Sequence, residues 1–180
     1  MFKIDRTDAL IIVDVQNCFC SGGTIPVPES DKIIPILTKY IEKFMQIWTK
    51  IYATRDWHLP NHRSFKEYGG IWPPHCVQGT EGAEFHSNLE LPEETTVISV
   101  GVDPSLEGYS GFENTDLENK LKQEGVKRVF VGGLATDYCV KYTVLDALDK
   151  NFKAILLMDD TKGVDSNPCD VRKAVAEMAK

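Results

Sequence analysis

Residues 128–143 read RVFVGGLATDYCVKYT, and this stretch decides the fold. Its apolar residues 129–131 predict a buried strand, Gly132 and Gly133 interrupt that pattern, and a helical pattern begins near Tyr138. Cys139 is therefore predicted to lie where a strand turns into a helix. Backbone N–H groups at a helix start stabilise a thiolate or a developing oxyanion, so this setting favours a nucleophile over the buried apolar role that cysteines more often have.

The rest of the chain repeats the alternation of strand and helix. A continuous apolar run, residues 9–13, ends at Asp14. Further predicted strands cover residues 50–54, 96–99, 127–131 and 152–158, and helical patterns begin at Ser30 or Asp31, near Asn114, near Tyr138 and at Asp165 or Asn167. This order predicts an α/β protein with a largely parallel sheet. Ligand sites gather at the carboxyl ends of such strands, which favours a functional role for Asp14 over a simple turn or capping role.

Composition limits the possible partners and compartments. The 180 residues carry a net charge of −7, which argues against nucleic acid or an anionic membrane as the main partner. No apolar run is long enough for a membrane span, and the start MFKIDRTD is charged where a signal peptide is apolar, so we expect a cytoplasmic protein. In that reducing compartment all five cysteines are expected to be free thiols: Cys18, Cys20, Cys76, Cys139 and Cys169.

A possible metal site follows the second predicted strand. Asp56 and His58 stand in an Asp-x-His pair, whose side chains point to one side if the extended backbone continues. Together with His75 they offer one carboxylate and two imidazoles, a set that suits zinc, iron or manganese. His62 is a possible fourth ligand. The alternative is that these histidines are ordinary loop residues packed against neighbouring tryptophans.

Six motifs in order along nearly the whole chain give a more specific indication. They are DVQN from Asp14, GGTIPVP, TRDWHLPNH, WPPHCVQGT, GYSGF and GLATDYCV. In this combination the chain resembles the nicotinamidases of the isochorismatase-like cysteine hydrolases. The resemblance implies a three-layer α/β/α sandwich with a central, mainly parallel sheet, formed by residues 1–180 as a single hydrolase domain.

The resemblance also implies catalytic roles. Cys139 matches the family's nucleophile and Asp14 its general base. Ala135 and Cys139 match the residues whose backbone amides form the oxyanion hole, with a cis peptide bond between Leu134 and Ala135. The implied reaction converts nicotinamide and water to nicotinate and ammonia through a thioester, a step in the salvage of pyridine nucleotides.

Binding roles are implied in the same way. Asp56, His58 and His75 match the ligands of a divalent metal, zinc before iron or manganese, and His62 matches a further ligand of some members. That metal holds the pyridine nitrogen of a nicotinamide-like small amide. Phe19, Trp72 and Tyr109 match the aromatic pocket around the substrate ring. A homo-oligomer is also expected, as a weaker inference.

One departure from the family pattern bears on activity. The family has a lysine at the end of the third strand, and this chain has Val100 there. No lysine lies between Lys66 and Lys120, so a shift of one residue does not supply it. Losing such a group commonly costs about 10²–10⁴-fold in rate. Two alternatives therefore remain: a non-catalytic relative that binds pyridine ligands, and a hydrolase of another small amide or of an isochorismate-like ether. Cys18, where the family usually has aspartate, is a lesser departure.

Overall fold

A five-stranded, all-parallel sheet forms the centre of the protein, whose computed structural model describes residues 3–180. The strands are β1 (Asp8–Val13), β2 (Lys50–Asp56), β3 (Thr96–Val100), β4 (Arg128–Leu134) and β5 (Lys153–Lys162). Their order across the sheet is β3-β2-β1-β4-β5. The strands β3 and β5 form the two edges of the sheet. The homo-oligomer expected from the sequence stays a prediction. No helix within residues 3–180 combines the length and apolar character needed to cross a bilayer.

Helices cover both faces of the sheet. Every residue of β1 is buried, because alternate side chains enter two separate apolar clusters. Leu10 and Ile12 pack with helix α1 (Ile34–Gln46) on one face. The other face of β1 packs with the helices α2 (Leu117–Gln123), α3 (Lys141–Asp149) and α4 (Asp170–Met178). The prediction of a three-layer α/β/α sandwich is confirmed.

Several predicted boundaries differ from those observed, for local reasons. Strand β5 continues past residue 158 because its pairing with β4 resumes after a register shift between Val131 and Gly133. Helix α2 begins at Leu117 and not near Asn114, whose φ of 54° is left-handed and incompatible with a helix. Helix α4 likewise begins only after Cys169, which has a φ of 73°.

Two of the five cysteines are paired, so the prediction of five free thiols is wrong. Cys18 and Cys76 form a disulfide, with their Cα atoms 5.9 Å apart. The loop after β1 and the loop that follows β2 converge there, beyond the carboxyl ends of the strands, and bring together two residues 58 positions apart. Cys20, Cys139 and Cys169 are free.

Candidate active site and metal centre

Four strand ends place the candidate residues at one edge of the sheet. Asp14 directly follows β1, Asp56 and Val100 are the last residues of β2 and β3, and Cys139 follows β4 within five residues. The Cα atoms of Asp56 and Val100 are register partners. One oxygen each from Asp14 and Asp56 lies within 4.8 Å of the Cys139 Sγ and of the other oxygen. The parallel sheet thus brings together residues that are far apart in the sequence.

Asp14 is held rigidly by the neighbouring strand. The Thr54 hydroxyl donates a 2.5 Å hydrogen bond to its Oδ1, and the Asp14 amide donates to the Thr54 carbonyl over 3.3 Å. Its φ of 48° is uncommon for a residue other than glycine, and such strain is frequent at functional sites. Asp14 is buried and its carboxylate faces the thiol of Cys139. Thr54 was not singled out in the sequence, where it is an ordinary strand residue.

Cys139 lies in a wide turn, not at the start of a regular helix. Residues Thr136–Val140 form a π turn in which Tyr138 has a φ of −124° and a ψ of −108°, so the regular helix α3 begins only at Lys141. The peptide bond between Leu134 and Ala135 is cis, as the resemblance implies. The Ala135 carbonyl accepts hydrogen bonds from the amides of Tyr138 and Val140, each at 3.1 Å. These bonds fix the backbone on either side of the thiol.

Negative charge dominates the surroundings of the thiol. Burial, followed by the charges of Asp14 and Asp56, raises the pKa of Cys139 well above its usual value. Burial and the charge of Asp56 likewise raise the pKa of Asp14. Among residues 3–180, those that line the adjoining cavity include no lysine or arginine. Within the described part of the chain, the charges that act most strongly on the thiol are therefore the two carboxylates, which disfavour the thiolate.

The cluster of Asp56, His58 and His75 has the geometry of a metal site. Asp56 Oδ2 lies 3.2 Å from His58 Nε2 and 3.6 Å from His75 Nε2, and all three residues are buried. The Nδ1 atom of His58 faces the Gly101 carbonyl at 3.0 Å, and that of His75 faces the Pro73 carbonyl at 2.8 Å. These carbonyls favour the tautomers with hydrogen on Nδ1, which leave both Nε2 lone pairs directed at one point.

Unpartnered buried atoms in this cluster fit a bound cation. Asp56 Oδ1 and His62 Nε2 are buried without a hydrogen-bond partner. The His62 ring lies 4.0 Å from that of His58, and its Nδ1 is 2.8 Å from the Ser64 hydroxyl. Buried polar atoms without partners are rare in native proteins and indicate an ion or water. Two or three imidazoles and one carboxylate match the donors that zinc, iron and manganese accept.

Gln16 fixes the position of Asp56, a role the sequence did not reveal. Its side-chain nitrogen donates to the Asp56 carbonyl and its oxygen accepts from the Asp56 amide, both at 2.8 Å. The same nitrogen donates to the Ala83 carbonyl at 2.8 Å. The only earlier signal was the place of Gln16 in the motif that begins at Asp14. Gly101 has a related role, since a Cβ atom there would collide with the His58 ring.

A small cavity of about 40 Å³ opens beside the thiol and the candidate metal ligands. The three predicted pocket residues, Phe19, Trp72 and Tyr109, all line it, and Trp72 Nε1 donates to the Tyr109 hydroxyl over 2.9 Å. Four further apolar or aromatic residues complete the lining and were not predicted: Ile25, Val27, Tyr138 and Val164. Ile25 and Val27 belong to the motif GGTIPVP, but the sequence did not show that their side chains point into the cavity.

Comparison with known proteins assigns the chain to a family. Residues 8–180 match the model of the isochorismatase domain. The chain belongs to the isochorismatase family. It is 36% identical over 192 residues to the nicotinamidase of Escherichia coli, an alignment that covers 95% of this chain and 90% of that protein.

Solved structures of family members agree in fold. The pyrazinamidase of Pyrococcus horikoshii in complex with zinc is 52% identical, with a TM-score of 0.92 over 96% of this chain and 94% of that one. PnC1 from L. infantum in complex with nicotinate is 36% identical, with a TM-score of 0.89 over 97% of this chain and 89% of that one. These relatives have a metal in one structure and a pyridine carboxylate in the other.

Proposed function

We propose that this protein is a metal-dependent cysteine amidohydrolase that converts nicotinamide and water to nicotinate and ammonia. One observation carries the proposal: the Cys139 thiol, the Asp14 carboxylate and the candidate metal ligands around Asp56 lie together beside one small aromatic cavity. A nicotinamidase, a zinc-bound pyrazinamidase and a nicotinate complex among the relatives support this substrate class.

The first half of the proposed reaction forms a thioester. Asp14 accepts the Cys139 proton as the sulfur attacks the amide carbon. The carbonyl π electrons move to the oxygen, and the backbone amides of Ala135 and Cys139 stabilise the resulting oxyanion. Asp14 then gives its proton to the amide nitrogen, the C–N bond breaks, and ammonia leaves.

The second half hydrolyses the thioester. Asp14, again a carboxylate, removes a proton from a water molecule whose oxygen attacks the thioester carbon. A second oxyanion occupies the same pair of backbone amides. When it collapses, the C–S bond breaks and the proton returns from Asp14 to the Cys139 sulfur. The product is nicotinic acid, which gives its remaining carboxyl proton to solvent and leaves as nicotinate. Both halves use one base and one oxyanion site, and Asp14 is the carboxylate that hydrogen-bonds to the thiol.

The cavity walls orient the substrate ring in this proposal. Phe19, Trp72 and Tyr109 provide apolar and aromatic surface for a pyridine ring. Asp56, His58 and His75 would hold the metal, zinc before iron or manganese, with His62 Nε2 available as a further donor. A metal bound there supplies a Lewis acid for the pyridine nitrogen. The small cavity volume favours a substrate of single-ring size.

An ammonia-release assay tests this function. Nicotinamide and the metal-loaded protein should give stoichiometric ammonia and nicotinate, and Cys139→Ala should give none above background. Equal release by the wild type and Cys139→Ala would contradict the assigned nucleophile. Parallel assays on other small amides test the alternative that a different amide is the physiological substrate, and an isochorismate-like ether tests the alternative that needs no metal.

A specific observation favours a second candidate function, a protein that binds pyridine ligands without turnover. Val100 is buried beside Asp56, where the resemblance implies a lysine. Calorimetric binding of nicotinamide or nicotinate, combined with no detectable ammonia from the metal-loaded wild type, would establish this candidate. Turnover at a rate typical of the relatives would exclude it.

Loss of the metal is predicted for variants of its ligands. His58→Ala should lower the metal content of the purified protein by about one equivalent per chain relative to the wild type, because it removes one of three donors. Elemental analysis of protein prepared without chelator measures this content. Asp116→Asn, which changes an exposed acid outside the cluster, is the control and should lose none. Unchanged metal content in His58→Ala would show that the metal binds elsewhere.

A further inference from the structure

A second group of metal-ligating side chains lies outside the proposed active site. Cys20, Asp31 and His86 each offer one ligand atom, and these atoms all lie within 4.8 Å of one another. The Cys20 thiol is free and buried, His86 is partly buried and Asp31 is exposed. The three residues come from three separate loop or turn segments, and none of them belongs to the cluster around Asp56.

Backbone hydrogen bonds hold these three segments in place. The Ser21 amide donates to Asp31 Oδ1 over 3.3 Å, which ties the residue after Cys20 to the Asp31 carboxylate. The His86 amide donates to the Val15 carbonyl over 3.0 Å, which ties the His86 segment to the end of β1. The three side chains therefore converge on segments whose backbone is held by hydrogen bonds.

A buried hydroxyl lies among the three ligand side chains. Ser30 is fully buried, and its Oγ faces the Cys20 thiol and the Asp31 carboxylate without a well-aligned hydrogen bond to either. A metal-bound thiolate is a better acceptor than a thiol, so metal binding at Cys20 gives this hydroxyl a stronger partner. A buried hydroxyl that is poorly satisfied and directed at the cluster is a second observation that points to a ligand here.

We propose that Cys20, Asp31 and His86 form a second binding site, specific for a zinc-like divalent transition metal. One thiolate, one carboxylate and one imidazole are donors that zinc and cobalt accept, whereas calcium and magnesium prefer oxygen ligands only. On binding, the Cys20 S–H bond breaks, its proton passes to solvent, and a sulfur–metal bond forms. His86 lines the open clefts on both of its sides, so water can occupy a fourth position.

Only a small closure of the side chains is needed. Tetrahedral bonds of about 2.0–2.3 Å separate the ligand atoms by about 3.3–3.8 Å. Because these atoms already lie within 4.8 Å of one another, each pair needs to approach by at most about 1.5 Å. Asp31 and His86 are not buried and have the freedom to make this movement around the fixed Cys20. The Asn88 amide donates a 3.2 Å hydrogen bond to His86 Nδ1. Metal binding at either ring nitrogen replaces this exposed bond, because coordination through Nε2 requires the tautomer with hydrogen on Nδ1.

A metal at this site would stabilise the wall of the active-site cavity. Cys20 directly follows Phe19, which lines the cavity, and the metal would join that loop to the segment of His86. The Cys18–Cys76 disulfide already joins the same loop to an earlier part of the connection between β2 and β3 that contains His86. The site goes beyond the proposed hydrolysis and does not depend on it, since metal binding here requires neither the Cys139 nucleophile nor turnover.

Cobalt substitution distinguishes this site from the cluster of Asp56, His58 and His75. Only a site with a thiolate donor gives sulfur-to-cobalt charge-transfer absorption, and that cluster contains no cysteine. The titration uses untagged full-length protein in anaerobic buffer without reductant, so that the disulfide stays closed. We expect the charge-transfer band in the wild type, its loss in Cys20→Ser, and at least tenfold weaker cobalt binding in His86→Ala. Zinc should abolish the band by competition.

Matched variants test whether another free thiol is the source of the charge-transfer band. Cys139→Ala and Cys169→Ser should keep the band, because neither residue belongs to the proposed site. Zinc content provides a second readout, in which His86→Ala and His58→Ala each lose one equivalent and the double variant loses two. Absence of the band in the wild type, or its persistence in Cys20→Ser, would overturn the proposal. His86 is not buried, so its variant keeps the test valid if Cys20→Ser fails to fold.

Discussion

Val100→Lys should raise the rate of nicotinamide hydrolysis by about 10²-fold or more, because it places one charge-stabilising group in the proposed catalytic site. Val100 is the last residue of β3 and the register partner of Asp56. It packs in the same apolar cluster as Cys139. An ammonium group on a side chain from this position can approach the thiol and the two acids. Ammonia release by the metal-loaded variant and wild type measures the gain.

The expected gain has an electrostatic cause. The charges that act most strongly on the Cys139 thiol are those of Asp14 and Asp56, and both disfavour the thiolate. A cation between these groups lowers the thiol pKa and stabilises the oxyanion, whereas the isopropyl group of valine does neither. The alkylation rate of Cys139 at neutral pH should therefore increase along with hydrolysis. Mass spectrometry of the Cys139 peptide separates its alkylation from that of Cys20 and Cys169.

Side-chain size must be separated from charge in this experiment. Val100 is buried, and a longer side chain there costs about 1–3 kcal/mol through overpacking. Val100→Met has a similar length without charge, so it should share any packing cost and show no gain in hydrolysis. Adding Cys139→Ala to Val100→Lys should abolish the activity. If the wild type already hydrolyses nicotinamide at the rate of its relatives, and Val100→Lys adds nothing, the interpretation of Val100 is wrong.

The fold could be predicted because its signals are local and repeated. The apolar run of residues 9–13 and the apolar start of residues 128–143 read directly as strands that are buried on both faces, and both are central in the sheet. Their carboxyl ends then locate Asp14 and Cys139 at one edge by geometry alone. The position of Asp56 followed in the same way from the end of β2.

The remaining features depend on how distant loops converge, which no local pattern encodes. The pairing of Cys18 with Cys76 joins loops that follow different strands, and spacing does not reveal it. The support of Asp56 by the Gln16 side chain is another long-range contact. Conformation also decided the start of α3, since the unusual backbone of Tyr138 delays the helix to Lys141. These features follow from tertiary packing and not from propensity.

Asp160 was also missed, because the acidic pair in LLMDDTK resembles the polar end of a strand. Asp159 is exposed, whereas Asp160 is fully buried and neither of its side-chain oxygens has a hydrogen-bond partner. Its carboxyl group fills the space beside Gly132 of β4, where a Cβ atom would lie only 2.7 Å from Asp160 Oδ2. Burial, followed by the charge of Asp159, raises the pKa of Asp160 from 3.8 to about 8.

This shift predicts that Asp160 makes stability depend on pH. Below the unfolded pKa of 3.8 the carboxyl is protonated in both states, so it adds no pH dependence to the free energy of unfolding. As the pH rises from about 4 to about 8, the unfolded chain loses this proton while the folded chain retains it, so the protein becomes less stable. At about 1.4 kcal/mol per pH unit, the loss at pH 7 is on the order of 4 kcal/mol.

Asp160→Asn should therefore remove most of this decline in stability. The amide is nearly isosteric and does not ionise, and its own burial cost is the same at every pH. Urea unfolding at pH 4 and pH 8 gives the free energies, and the difference between the two pH values cancels that constant cost. The decline from pH 4 to pH 8 should be smaller in Asp160→Asn than in the wild type by several kcal/mol. Asp159→Asn, the exposed neighbour, should retain most of the wild-type decline. An equal decline in Asp160→Asn and the wild type would show that the Asp160 carboxyl finds a partner in solution and titrates normally.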